Sequence, residues 1–173
     1  KKYLLENKIE VDSKIIVGGS SAGGSFANRF SLLHPLLVEV SALLIAGDYI
    51  YPESRLGKVT LNYPYGIADL KNIMPNDYSF EEFKKIKHFL FVGEEDKERA
   101  HDALNYELNG DAEKMKSYRE VLGENAVERT KKYADYLKSK GIHAQLIVGK
   151  NMGHRIGEEV MDAMVEFIVT GLN

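Results

Sequence analysis

The chain has 173 residues, 44% of them hydrophobic, enough to fill one core, so a single globular domain is expected. Charged residues make up 28% and nearly balance at a net charge of -3, which draws neither nucleic acid nor an anionic membrane surface. Cysteine is absent, and with it disulfides, thiolate zinc sites and cysteine nucleophiles within this sequence.

The first residues, Lys1 to Lys8, read as the end of an amphipathic helix and carry neither an initiator Met nor the apolar core of a signal peptide. The chain is therefore expected to start mid-architecture. No apolar run approaches the ~20 residues of a bilayer span, and a cytoplasmic, soluble protein is expected. Lys14-Ile15-Ile16-Val17 predicts a buried parallel strand, ended by Gly18-Gly19 at a sharp turn. Phe26, Phe30 and Leu33 then share a helical face, and His34-Pro35 ends that helix. Further buried strands are predicted at Val40–Ala46, Phe89–Val92 and Ala144–Val148.

Before the last of these strands, Asn125 with Glu128 predicts a capping box. The helix it opens carries Val127, Thr130, Ala134 and Leu137 on one face and stops at Gly141. Val160, Met161, Met164, Val165 and Ile168 predict a closing helix packed on the sheet. Strands alternating with helices make an α/β fold, a mostly parallel sheet flanked by helices. Residues 49–79 and 97–123 break the rhythm and read as loop insertions, the places where such folds carry specificity.

The chemistry-bearing motif is Gly19-Ser20-Ser21-Ala22-Gly23, lying between a predicted strand and a predicted helix. A serine hydroxyl must stand clear of the backbone and beside a base before it can attack a carbonyl. A strand–turn–helix elbow presents it so, and the close approach of strand to helix calls for small residues two before and two after the nucleophile, here Gly19 and Gly23. Ser21 is the expected nucleophile. Ser20 and Ser25 lack small residues on both sides. The Ala22 backbone N–H, at the positive end of the helix, is the expected oxyanion donor. Gly24 points to close packing or substrate approach. An ordinary glycine-rich turn is the plainer alternative, while neither a dinucleotide nor a P-loop fingerprint can be fitted to these residues.

His154, directly after the last predicted strand, is the expected base, since a loop at the carboxyl edge of the sheet can reach Ser21. His34, His88, His101 and His143 fall at helix ends, strand starts or the polar insertion. Asp96, just past the strand Phe89–Val92, is the expected acid. Asp48 and Glu95 compete with it, and a solvated acidic turn is the alternative for the whole run Glu94-Glu95-Asp96.

With these three placed, the chain resembles the α/β-hydrolase superfamily, and within it the esterases related to polyhydroxybutyrate depolymerases and small carboxylesterases. The resemblance rests on Ile16 to Gly24, on Phe91 to Asp96 and on Gly153-His154, the elbow being the specific part. It implies an acyl-serine mechanism on a small-molecule ester, with no metal or cofactor, and a substrate pocket bordered by Tyr49 and Tyr51, which as plain packed aromatics would have no such role. It also implies several strands ahead of the elbow and a second oxyanion N–H on an early loop. Lys1 to Ser13 offers neither, so the expectation is a C-terminal part of the fold. An acyltransferase or peptidase on the same scaffold, and a non-catalytic small-molecule binding module, are the competing readings. Oligomeric state stays open.

Overall fold

The computed structural model describes residues 13–74, 78–97 and 111–172. The helix end expected at Lys1 to Lys8, and His101, lie outside them. Four strands, β1 (Ile15–Ser20), β2 (Val38–Leu44), β5 (Lys87–Gly93) and β6 (Ala144–Gly149), form an all-parallel sheet in the order β1-β2-β5-β6. A two-stranded hairpin, β3 (Arg55–Leu56) and β4 (Val59–Thr60), stands apart. The helices are α1 (Ala22–Leu33), the short α2 (Leu70–Ile73) and α3 (Phe80–Phe83), then α4 (Ala112–Leu122), α5 (Ala126–Ser139) and α6 (Glu158–Gly171).

Parallel strands need crossovers, and the crossovers cover both faces, so the central strands read as continuous apolar runs. β2 and β5 are buried almost throughout. Alternate residues divide between two cores. Leu43 and Leu90 join Ala27 and Leu32 of α1 with Tyr133 and Leu137 of α5. On the other face Val40, Ala42, Phe89 and Phe91 pack with Val160 and Phe167 of α6. At roughly 2 kcal/mol per fully buried large side chain, these residues decide which way each strand faces.

Local chemistry sets the ends. β1 runs through both glycines to Ser20, so the predicted turn at Gly18-Gly19 is displaced to Ser21. The capping box forms at α5: the Asn125 side chain accepts from the Glu128 N–H, and the Glu128 carboxylate accepts from the Glu124 N–H, one residue before the cap. Past α5 the chain turns at Gly141 with φ 72°, a left-handed conformation that glycine adopts freely. On α6 the sheet face differs from the one expected. Val160, Met164, Phe167 and Ile168 turn inward, whereas Met161 and Val165 are 42% and 52% exposed. Phe167 displaces them because its larger ring seats against Phe89 at 5.6 Å.

Candidate active site

All four sheet strands finish at one edge, with Ser20 opposite Leu44, Leu44 opposite Phe91, and Gly93 opposite Gly149. The chain leaves β1 there through Ser21, whose φ of 53° and ψ of -122° place a side-chain-bearing residue in a region that favours glycine. Such a backbone costs about 1–3 kcal/mol and persists only where its surroundings hold it. Two bonds do so: the Ser21 N–H donates to the Leu44 carbonyl at 2.9 Å, and the Ser21 carbonyl accepts the Ser25 N–H at 3.1 Å.

Strand and helix meet closely at this turn. A Cβ on Gly19 would clash with the Gly23 backbone, and one on Gly24 would lie 3.0 Å from the Ala46 Cβ and 3.1 Å from the Gly19 and Leu44 carbonyl oxygens. Close packing therefore accounts for Gly24. Gly23 differs from expectation, since nothing among the described residues lies within 4 Å of a Cβ built there. Smallness is demanded at Gly19, which meets the helix backbone, and not at Gly23, whose own Cβ direction points away from the strand.

The loop ending in Asp96 and the loop bearing His154 are joined at β5 and β6. The Glu94 N–H donates to the Gly149 carbonyl and the Glu95 N–H to the Met152 carbonyl, both at 2.8 Å. A side chain on Gly93 would strike the Met152 and Gly153 carbonyls, so this pairing is closed up by a glycine. The acidic turn then sorts its carboxylates: Glu94 and Glu95 are exposed, while Asp96 is 1% exposed. His154 Nδ1 lies 2.8 Å from Asp96 Oδ2, and its Nε2 lies 3.1 Å from Ser21 Oγ. Because a carboxylate only accepts, Nδ1 is the ring nitrogen that donates to Asp96, which in a neutral imidazole leaves Nε2 as the acceptor facing the serine O–H. Ala22 is the first residue of α1, where a helix leaves backbone N–H groups without intrahelical acceptors.

No family model and no curated protein matches the sequence. Solved structures do. A poly(aspartic acid) hydrolase-1 from Sphingomonas sp. KT-1 superposes with a TM-score of 0.62 at 20% identity, over 95% of this chain and 58% of that one. LpqC, a poly(3-hydroxybutyrate) depolymerase from Bordetella parapertussis, gives 0.63 at 16% identity, over 98% and 54%. Arabidopsis thaliana SOBER1 gives 0.57 at 15%, over 99% and 60%. The fold is that of the α/β-hydrolases. The chain spans a little over half the length of these three structures.

Within this α/β-hydrolase sheet the competing acids are otherwise engaged or exposed. Asp48 receives both bonds of a fork from Arg29, at 2.8 and 2.9 Å. Glu95 faces solvent. Of the other histidines, His34 is exposed against Phe30, and His143 is exposed against Phe167. His88 is fully buried with neither ring nitrogen hydrogen-bonded among the described residues, and burial, aided by His143, pulls its pKa down to about 3.

Tyr49 and Tyr51, expected beside the substrate, are each 3% exposed. Tyr49 stacks on Tyr133 at 4.5 Å and shares a 2.9 Å hydrogen bond with Thr130, while Tyr51 meets Tyr133 and Tyr136 edge-on. Together with Asp48, Tyr65, Leu122, Gly123 and Arg129 they enclose about 10 Å³, room for one water at most. Both rings behave as packed aromatics. The cause is the loop's anchorage to the helices, for Asn28 Oδ1 takes the Ile50 N–H at 2.7 Å and draws the segment inward. A groove of about 390 Å³ between β4 and α4, lined by Lys58, Val59, Thr60, Asn62, Lys114, Ser117 and Tyr118, contains none of the residues singled out by sequence.

Sequence reading misses Asn28, Arg29 and Arg129, which tie the loop after β2 to α1 and α5. The one signal was position: Asn28 falls four residues from Gly24 and three from Ser31, on the buried face of α1.

Proposed function

We propose that the protein is a serine hydrolase that cleaves carboxylic esters through an acyl-serine intermediate, with Ser21 as nucleophile, His154 as base and Asp96 as the acid that orients it. The observation carrying this reading is the continuous row from Asp96 Oδ2 to His154 Nδ1 and from His154 Nε2 to Ser21 Oγ, at 2.8 and 3.1 Å. In the reaction Ser21 Oγ bonds to the ester carbonyl carbon as its proton passes to His154 Nε2. The carbonyl oxygen gathers negative charge toward the Ala22 N–H, and His154 returns the proton to the departing alcohol. Water then repeats the sequence against the acyl-serine, and the acid is released. Asp96 keeps its charge throughout and steadies the imidazolium that forms twice. No step calls for a metal or cofactor. The strained backbone at Ser21 supports the same reading, because strain of this kind is retained where a functional geometry needs it.

A fluorophosphonate probe applied to the full-length polypeptide is expected to label Ser21, and Ser21→Ala to lower ester turnover by ~10⁴-fold or more without loss of fold. A Ser21→Ala protein with wild-type turnover would remove the nucleophile from this position. Partition of the acyl group to an added alcohol or amine in preference to water would turn the reading toward transfer.

A further inference from the structure

His154 is carried by the loop between β6 and α6, outside any helix or strand, and its side chain is 27% exposed. A proton-transfer geometry tolerates errors of only a fraction of an ångström, so such a loop needs an anchor. Between Gly149 and Val160 a single residue is buried, Met152, at 6% exposure. It is held by both its backbone and its side chain. The Met152 carbonyl accepts the Glu95 N–H at 2.8 Å, one residue before Asp96. The Met152 side chain lies in the core beneath α6 with Phe91, Val160 and Phe167. A Cβ on Gly149 would stand 2.6 Å from the Met152 sulfur and 2.9 Å from the Phe91 ring, so the end of β6 leaves room for the thioether only because residue 149 has no side chain.

We infer that Met152 is a positioning residue that fixes the base against the acid: its side chain plugs the notch at Gly149, and its carbonyl holds the turn that ends in Asp96. Asn151, just before it, has φ 53°, a left-handed conformation that asparagine accepts more readily than most residues, and this turns the chain so that Met152 points into the core. Just after it, the Arg155 N–H donates to the Gly153 carbonyl at 2.8 Å and closes a tight bend around His154. An unbranched thioether suits the notch, because it can thread between a glycine and an aromatic ring where a branched side chain would strike one of them. The 2.8 Å separation of His154 Nδ1 from Asp96 Oδ2 is thereby referred to the ends of β5 and β6, and does not rest on that one hydrogen bond alone.

This inference rests on the esterase reading, so its test begins with Ser21→Ala and a p-nitrophenyl ester, in the full-length polypeptide. Turnover that persists there would overturn the esterase reading and this inference with it, whereas every later outcome bears on Met152 alone. Turnover is then expressed per active site labelled to completion by a fluorophosphonate, which leaves unfolded protein out of the rate. Met152→Ala is expected to lower kcat per labelled site by ~10- to 100-fold with KM changed by no more than about threefold, because the row is disturbed and substrate binding is not. Met152→Leu, which nearly keeps the volume, should recover most of that kcat. Phe167→Leu thins the same core away from the loop and should leave kcat per labelled site unchanged. Combined with Asp96→Asn, Met152→Ala should cost much less than it does alone, since the base has then lost the partner it is held against. Wild-type kcat in Met152→Ala, a Leu variant no better than Ala, an equal loss in Phe167→Leu, or losses that simply multiply in the double variant would each overturn the inference. If the Ala protein does not fold, Met152→Val takes its place under the same criteria.

Discussion

In the proposed reaction Ser21 combines two demands that pull against each other, a side chain for chemistry and a backbone that prefers none. Removing the hydroxyl therefore affects stability according to what replaces it. Ser21→Gly is expected to be about 1 kcal/mol more stable than Ser21→Ala, both being inactive, because only glycine relieves the left-handed strain. Urea unfolding of the two variants measures this, and equal midpoints would mean the turn at Ser21 is unstrained. At Asp96 the contrast is with its neighbour. Asp96→Asn should lower kcat by ~10⁴-fold, since an amide can impose the wrong imidazole tautomer, whereas exposed Glu95→Gln should leave kcat unchanged. Steady-state kinetics on the pair would show at once if the acid had been misassigned. The residue types and their order were legible in the sequence. What favours Asp96 over Asp48 in the proposed row is its burial and the Arg29 fork on Asp48, neither of which leaves a local sequence signal.

Elements were legible where hydrophobic patterning and capping agreed, as in β2, β5 and the start of α5. They were misread where packing chose among similar candidates. On α6, Met161 and Val165 match the helical period as well as Phe167 does, and only the position of Phe89 decides between the faces. The strand-to-helix turn at Ser21 shows the same limit, for Gly19 and Gly23 look equivalent in sequence yet meet different surroundings. Gly19→Ala should destabilise the fold by roughly 3 kcal/mol or more, because backbone must move to admit the methyl group. Gly23→Ala should be neutral or stabilising by up to about 1 kcal/mol, as expected for an alanine inside a helix. Thermal melts of both proteins check the pair, and similar losses would contradict the asymmetry.

Across the whole molecule the sheet is sealed on both faces of its central strands, and His88 is enclosed within it. Its folded pKa of about 3 lies below the ordinary 6.5, so the unfolded chain binds the proton more readily than the native one. The stability tied to this group is complete above pH 6.5 and is lost as pH falls from 6.5 toward 3, at up to about 1.4 kcal/mol per pH unit. His88→Leu is expected to flatten this acid limb relative to wild type, with the gap between the two proteins widening below pH 6 and constant above pH 7. Denaturant unfolding at pH 4.5 and pH 7.5 tests it, and a pH-independent gap would refute the account. Among the described residues no helix is long and apolar enough to cross a membrane.

What the sequence by itself determined was the alternation of strands and helices and the order of serine, aspartate and histidine at strand ends, because period and turn chemistry are local properties. What only the tertiary structure decided was which groups share a dry environment. Tyr49 and Tyr51 went to the aromatic core because α1 and α5 anchor their loop, and Arg129 came to lie buried against the Gly47 carbonyl because α5 packs across β5 and β6. Burial and charge balance are sums over residues distant in sequence, and no local pattern encodes them.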